Sequence, residues 1–429
     1  MNSSPLYIVD GVRTPFCKMG TDLAASDAVD LGRSAAAAVL AHTGLDPALI
    51  DEVIFGCVGQ PADAANPGRV IALRAGVPES VPAITVHRNC ASGFEALTQA
   101  AEKVAAGRGD IFLVGGTESM SRYPLLYNEG ATKKYGQLAK AKTAGQKLAQ
   151  LLRFRPKDFA PRVSLMLGLS DPVCGCNMGQ TAETLARDWR ITRTQQDEFA
   201  LRSHQRAAAA KAKLAEETWP VYPRGGRVPA AVTADNGVRE AQTMDALAKL
   251  KPVFEKRGGT VTAGNASQIT DGAVALLVMS EAGLKRTGLT PIGRLVDYAY
   301  AGCEPMRMGL GPVYAIARAQ QRCGLGLRDA EVIELNEAFA AQVLACQAAA
   351  ASDDFARKHL GRDRALGEIP SEILNVNGGG IALGHPVGAT GARLVLTALK
   401  ELQRRKARRA LVTLCVGGGQ GGALWLEAA

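Results

Sequence analysis

Apolar residues recur in two distinct rhythms along the chain. "PLYIVDGVRTPF" (5–16) and "PIGRLVDYAYAG" (291–302) read as opening strands. "DEVIFGCVGQ" (51–60) and "AEVIELNEAFAAQ" (330–342) each read as a strand running into a loop. "NCASGFEALTQAAEKVAAGRGDIFLVGG" (89–116) predicts a loop, a helix and a strand ending in glycines, and "HPVGATGARLVLTALKELQRRKARRALVTLCVGGG" (385–419) predicts the same order. In the second helix Leu394, Leu396, Leu399 and Leu402 recur at helical spacing, while "IFLVGG" and "ALVTLCV" have the continuous apolar character of buried strands.

The chain therefore repeats itself. After "LVTLCVGGGQG" it turns straight into "GALWLEA", a hairpin. After "IFLVGGTESM" the matching strand, "GAVALLVMS" (272–280), arrives only after a long intervening segment. The expected organisation is α/β, with two similar halves and one helical insertion. The first half takes residues 1–120 with 270–291, the inserted loop domain 121–269, and the second half 292–429. Helical patterns such as "TRTQQDEFALRSHQRAAAAKAKLAEE" fill much of the insertion, and long insertions at strand ends commonly build binding sites.

Composition narrows the function classes. The 429 residues are 47% hydrophobic and 21% charged, as in an ordinary globular protein. The net charge of +9 fits either nucleic acid or a phosphate-bearing small molecule, and no nucleic-acid-binding motif is present, so nucleic acid is not expected. The run "RRKARR" (404–409) reads as a solvated helix end. Nine scattered cysteines form no disulfide framework, and "CGC" (174–176) lacks the usual spacing of zinc or redox motifs. No apolar run is long enough for a membrane span, and "MNSSPLYIVDG" predicts no secretory leader. The cytoplasm is the expected compartment.

Four features fall on strand ends or helix starts at corresponding places in the halves. Cys90 in "HRNCASGFEAL" is expected near a helix N-terminus capped by Asn89, where the helix dipole favours thiolate. His385 in "GHPVGATG" occupies the matching place in the other half, where an imidazole can accept a thiol proton. Cys415 ends a strand before "VGGGQGG", whose backbone N–H groups can receive an oxyanion. Asn336 and Glu337 end another strand, where an asparagine can hold a water or a carbonyl. Each also has an ordinary structural explanation: a packing cysteine, a satisfied loop histidine or turn chemistry.

With "NCASG" (89–93), "GNASQITDGA" (264–273), "NEAFAAQ" (336–342), "GGGIALGHPVGATGAR" (378–393) and "CVGGGQG" (415–421), the chain resembles the thiolase family over essentially its whole length. The resemblance implies the thiolase fold, two βαβαβαββ halves in a five-layered α/β/α/β/α core plus a loop domain. It implies that Cys90 is the acylated nucleophile, His385 its activator, Cys415 the acid/base for the α-proton and Asn336 the holder of an oxyanion-hole water. The N–H groups of Cys90 and Gly417 would form a second oxyanion hole. Ser267 would touch the pantetheine arm of coenzyme A, and Met178 would line the acyl pocket.

The implied substrates are acyl-CoA and CoA, with no permanent cofactor and no metal. The implied assembly is a homodimer or homotetramer, with room for a hydratase/dehydrogenase partner subunit. Arg224, Arg227, Lys251, Lys256 and Arg257 are candidates for the CoA phosphates. The segment 139–171 exceeds what short-chain thiolases carry and resembles the thiolase subunits of fatty-acid-oxidation complexes; it could cap an acyl tunnel, face a membrane, dock a partner or simply pack. "NEAFAAQ", in contrast, is the pattern of stand-alone enzymes. Three functions follow: 3-ketoacyl-CoA thiolysis in β-oxidation, short-chain condensation to acetoacetyl-CoA, or, remotely, non-catalytic acyl-CoA binding.

Overall fold

A computed structural model describes residues 5–223 and 230–429. The nine principal strands are β1 (Leu6–Arg13), β2 (Glu52–Gly56), β3 (Ala83–Val86), β4 (Ile111–Ser119), β5 (Thr270–Met279), β6 (Gly293–Gly302), β7 (Val332–Leu335), β8 (Arg409–Val416) and β9 (Gln420–Ala428). They form one path in the order β7-β8-β9-β6-β1-β5-β4-β2-β3. Read outward from the β1–β6 pair, the two sides repeat each other. β1/β5 and β5/β4 are antiparallel, and β4/β2 and β2/β3 are parallel. β6/β9 and β9/β8 are antiparallel, β8/β7 is parallel, and a parallel bridge joins Ile333 to Leu374 where the last strand would stand. The two sides meet through Leu6–Leu295, Tyr7–Arg294 and Ile8–Gly293.

Eight helices cover this frame: α1 (Ala28–Thr43), α2 (Pro67–Arg74), α3 (Ser92–Ala105), α4 (Met178–Asp188), α5 (Arg193–Ala209), α6 (Gly311–Cys323), α7 (Ala340–Ala350) and α8 (Thr390–Arg405). Their ends follow local chemistry. Asp27 caps α1 through the N–H of Asp30, and Gly44 (φ 65) ends it. Asn177 with Gln180, and Thr192 with Gln195, form capping boxes on α4 and α5.

Three apolar cores define five layers. On β5, Val274, Leu276 and Val278 face a central core with Phe94 and Leu97 of α3 and Leu394 and Leu396 of α8. Ala273, Ala275, Leu277 and Met279 alternate onto an outer core with Leu31 and Val39 of α1 and Ile71 of α2. On β8, Val412 and Leu414 face the centre, while Leu411 and Cys415 face a second outer core with Ile316 of α6 and Val343 of α7. Period-two strands buried on both faces thus explain the continuous apolar runs.

The expected insertion 121–269 divides. Its second part joins the larger compact unit, because α4 and α5 bury Ala182, Leu185, Phe199 and Ala200 in the outer core of the second half. Among the described residues, Tyr123–Ser170 forms the second compact unit. Within it, the rings of Tyr127, Tyr135, Phe154 and Phe159 contact one another in series, and Asp158 accepts from Lys134 Nζ at 2.5 Å and from the Arg155 N–H at 2.7 Å. The basic run expected as a solvated helix end is partly paired: Arg404 and Arg405 bond Glu401, and Lys406 ends α8 in the left-handed region (φ 54).

Arg393 of α8 and Glu334 of β7 form an ion pair of 2.6 Å, with both side chains about fully buried (1% exposed). Arg393 Nε and Nη2 and Glu334 Oε1 have no protein partner among the described residues. Removing one charge leaves the other desolvated and unpaired. Glu334→Ala is therefore expected to lower stability by about 3–5 kcal/mol in urea unfolding at fixed protein concentration. A loss under about 1 kcal/mol would show that the pair is solvated or dispensable.

Candidate functional site

Two helix starts meet at the centre of the fold. A Cβ on Gly93 of α3 would lie 2.5 Å from the Ala392 nitrogen of α8, and one on Gly391 would lie 2.5 Å from the Phe94 nitrogen. On β4, a Cβ on Gly116 would lie 2.0 Å from the Gly388 carbonyl oxygen. Backbone-to-backbone approach at these points needs glycine, and it brings the turn ahead of each helix to one end of the central layer.

Cys90 stands on the turn ahead of α3. The expectation that Asn89 caps this helix is corrected. Asn89 has φ 42, whereas an N-cap residue takes extended backbone, and the residue flanking α3 is Ala91, with no side-chain cap. The Asn89 amide instead donates to the Gly417 carbonyl at 2.7 Å, fastening the Cys90 turn to the glycine loop after β8. Ser92 holds the turn locally, accepting from the Arg88 N–H at 2.9 Å and donating to the Asn89 carbonyl at 2.7 Å.

Cys90 is half-buried, and burial pushes its thiol up to about 11. The N–H groups of Gly417 and of Cys90 itself act in the opposite direction, while the Glu118 carboxylate adds to the rise. The helix end expected to favour the thiolate is outweighed, with the donors, by desolvation. Those two N–H groups nevertheless converge on the sulfur, where they can also meet an oxygen on an attached carbon. Met178 stands beside them: its Sδ would be 3.3 Å from a Cβ on Gly417.

Cys415, at the end of β8, is 1% exposed, and burial raises its thiol well above the ordinary range. Cys90, Cys346 and Cys303 are close enough to raise it further. The two cysteines singled out from the sequence therefore share one cluster.

His385 is carried on a turn that Gly384 (φ 105) makes possible; a Cβ there would lie 2.4 Å from Thr270 Oγ1. That oxygen accepts the His385 N–H at 3.2 Å. His385 Nδ1 is 2.6 Å from Thr390 Oγ1, and the Thr390 hydroxyl donates its one hydrogen to the Pro386 carbonyl at 3.0 Å. Nδ1 must then be the donor of the shorter bond, which leaves a lone pair on Nε2. Nε2 is buried with no protein partner among the described residues. Burial, with Arg393 adding to it, lowers the imidazole to about 3, so it rests neutral.

Asn336 follows β7, and its backbone N–H donates to the Thr413 carbonyl at 3.0 Å. Its side chain is fully buried, and neither amide atom has a protein partner among the described residues, which is the signature of a site for water or ligand. A Cβ on Gly380 would lie 3.0 Å from its Oδ1, so the amide faces the segment leading to His385. Glu337 is engaged elsewhere, accepting from Ser203 Oγ, Asn375 Nδ2 and the Ile381 N–H. Ser267 is half-buried and donates its backbone N–H to the Ala338 carbonyl at 2.9 Å; it is tied to the Asn336 loop rather than to the sulfur cluster. Lys251, Lys256 and Arg257 are exposed, and Arg224 and Arg227 lie outside the described residues.

Glu118 escaped the sequence reading. It is buried at the end of β4, where its carboxylate accepts the N–H groups of Gly59 (2.7 Å), Val58 (3.2 Å) and Gly388 (2.9 Å). It thereby fixes the turn between His385 and α8. The available signal was a carboxylate closing an otherwise apolar strand in "IFLVGGTES".

A thiol with converging N–H donors, a second buried thiol, a neutral imidazole with an open lone pair and an unpartnered buried amide suit acyl transfer through a thioester. The comparisons agree. The thiolase N-terminal domain family matches residues 6–282, and the thiolase C-terminal domain family matches 289–428. A 3-ketoacyl-CoA thiolase of Serratia proteamaculans is 41% identical over 425 residues, covering 98% of this chain and 96% of its own. The acetyl-CoA acetyltransferase of Bacillus anthracis superposes with a TM-score of 0.87 at 36% identity, covering 100% of this chain and 99% of its own. Human mitochondrial 3-ketoacyl-CoA thiolase in complex with CoA superposes with a TM-score of 0.85 at 35% identity, covering 99% and 98%. Duplicated halves, a paired-thiol centre and matches to both family domains place this chain in the thiolase family.

Proposed function

We propose that the chain is a 3-ketoacyl-CoA thiolase of fatty-acid β-oxidation. The observation that carries this reading is the joining of Cys90, Gly417 and Cys415 in one cluster, on a chain whose full-length relatives bear that name. His385 Nε2 takes the Cys90 proton as the sulfur attacks the 3-keto carbon. The N–H groups of Cys90 and Gly417, and a water held by Asn336, stabilise the oxyanions. The bond between C2 and C3 breaks, and Cys415 protonates the departing acetyl-CoA enolate. The Cys415 thiolate then deprotonates CoA, whose sulfur attacks the acyl-Cys90 thioester. Acyl-CoA leaves, and His385 returns the proton to Cys90. Met178 borders the acyl group and Ser267 the pantetheine arm, with Lys251, Lys256 and Arg257 available to the phosphates. No step calls on a metal or a resident cofactor.

The structural likeness to an acetyl-CoA acetyltransferase keeps short-chain condensation as a second reading. Thiolysis by the purified protein from acetoacetyl-CoA to long-chain 3-ketoacyl-CoAs separates them. Rates rising with chain length are expected, a preference for acetoacetyl-CoA would transfer the assignment to the short-chain reaction, and inactivity throughout would leave acyl-CoA binding alone.

A homo-oligomer is part of this reading. β3 ends the sheet, and its Ile84 is 40% exposed, an edge that a second copy can cover. Sedimentation velocity is expected to show a dimer or tetramer; a monomer at micromolar concentration would reject it. The same measurement with an added hydratase/dehydrogenase subunit tests hetero-assembly. Among the described residues no helix is long and apolar enough to cross a membrane. Nine free cysteines support a cytoplasmic placement, which fractionation of the native cells would check.

A further inference from the structure

The turn leading into α4 carries two thiols that the proposed reaction does not use. Asp171 closes this turn at both ends. Its N–H donates to the Cys176 carbonyl at 2.8 Å, and its own carbonyl accepts the Gly175 N–H at 2.9 Å. Its Oδ1 accepts the N–H groups of Val173 and Cys174 at 2.7 and 3.0 Å. Gly175, between the two cysteines, has φ 70, a left-handed conformation that few other residues would adopt there. Burial raises the Cys176 thiol above its ordinary value, and Cys174 lies close enough across Gly175 to raise it further. Cys176 Sγ also lies 3.6 Å from Met306 Sδ, which in turn receives the Thr184 hydroxyl of α4, so the Cys176 side chain is held in place. Both cysteines are half-buried, which leaves them within reach of a small reagent.

The electrostatics favour a bond over a pair of thiolates. Asp171 Oδ2 is buried with no protein partner among the described residues, and the Asp171 and Glu255 carboxylates both disfavour negative charge on Cys176. A dithiol becomes a strong oxidant when its reduced form is stabilised as thiolate. Here the Asp171 and Glu255 carboxylates withhold that stabilisation from Cys176, whereas a disulfide is uncharged and leaves them unopposed by a like charge.

We propose that Cys174 and Cys176 are a reversible redox site that closes a disulfide across Gly175 on meeting a low-molecular-weight disulfide such as oxidised glutathione. The Cys174 thiolate attacks one glutathione sulfur, forming a mixed disulfide and expelling glutathione thiolate. Cys176 sulfur then attacks the Cys174 sulfur, forming the intraturn bond and expelling the second glutathione. The protein loses two electrons and two protons, and one oxidised glutathione becomes two reduced glutathiones. The ring so formed adjoins Asn177, the cap of α4, and Met178, the residue beside Gly417.

The full-length protein, equilibrated in oxidised/reduced glutathione buffers, acid-quenched and alkylated, tests this by mass spectrometry of the peptide containing residues 174–176. The expected result is loss of two hydrogens and of both alkylation sites, restored by dithiothreitol and abolished in Cys174→Ser. Two alkyl groups persisting in the most oxidising buffer would overturn the proposal. So would a glutathione adduct that remains on either cysteine without closing, or a bond from Cys176 to Cys303.

Discussion

Cys90→Ser is expected to lower thiolysis by roughly 10³-fold or more, since an alcohol is a far poorer nucleophile than a thiolate and loss of a covalent-catalysis nucleophile costs orders of magnitude. The size of the loss follows from where the sulfur stands. Burial raises the Cys90 thiol to about 11, so even the native residue needs a base at the moment of attack. A serine hydroxyl in the same place starts much further from its anion, and His385 cannot close that gap. Serine nearly matches cysteine in volume, and Cys90 is only half-buried, so thermal unfolding should change little. The measurement is single-turnover acylation by an acyl-CoA, read as mass on the intact protein, alongside steady-state thiolysis. The variant should show neither acyl adduct nor rate. Near-native thiolysis in Cys90→Ser would remove Cys90 from the mechanism and leave the Gly417 N–H without a reacting partner.

The legible part of this molecule was what repeats. "PLYIVDGVRTPF" and "PIGRLVDYAYAG" were readable as matching strands because each opens its half with a short, largely apolar run, and they are the adjoining β1 and β6. Cys90, His385 and Cys415 stood out because each sits beside glycines at an element end, and packing there demands glycine. What stayed hidden depends on partners far apart in the chain. Nothing local to Asn89 says that its amide will reach Gly417 instead of capping α3. Glu118 is uninformative until β4 lies against the turn at Gly388, and Thr270 and Thr390 are unremarkable until His385 lies between them. Helical periodicity shows that α4 and α5 have an apolar face, but not that this face completes the outer core of the second half. The insertion therefore looked like one domain where, among the described residues, only Tyr123–Ser170 is compact by itself.

His385→Gln is expected to lower thiolysis by roughly 10²–10⁴-fold, the ordinary worth of a positioned general base. The effect is specific to the lone pair on Nε2, since an amide can occupy the imidazole site beside Thr390 without accepting a thiol proton. The same geometry fixes the pH dependence. The folded protein holds the imidazole at about 3, below the unfolded histidine at about 6.5, because burial and Arg393 oppose its charge. The unfolded chain thus binds the extra proton between those values. The contribution of neutral His385 to stability is complete above about pH 6.5 and is lost as pH falls through that window. Over the same range the base stays unprotonated in the folded enzyme. The kcat/KM for thiolysis should therefore show no acid limb at the ordinary histidine value, and activity should fall at low pH only as the protein unfolds. A reversible limb centred near pH 6.5 in protein that circular dichroism shows to be folded would mean that His385 rests open to solvent and titrates normally. Alkylation of Cys90 checks the thiol separately: rapid reaction with iodoacetamide at pH 6 would mean that it rests as a thiolate despite its burial. Slow alkylation there, accelerating toward pH 9, is what a neutral thiol beside a neutral imidazole requires.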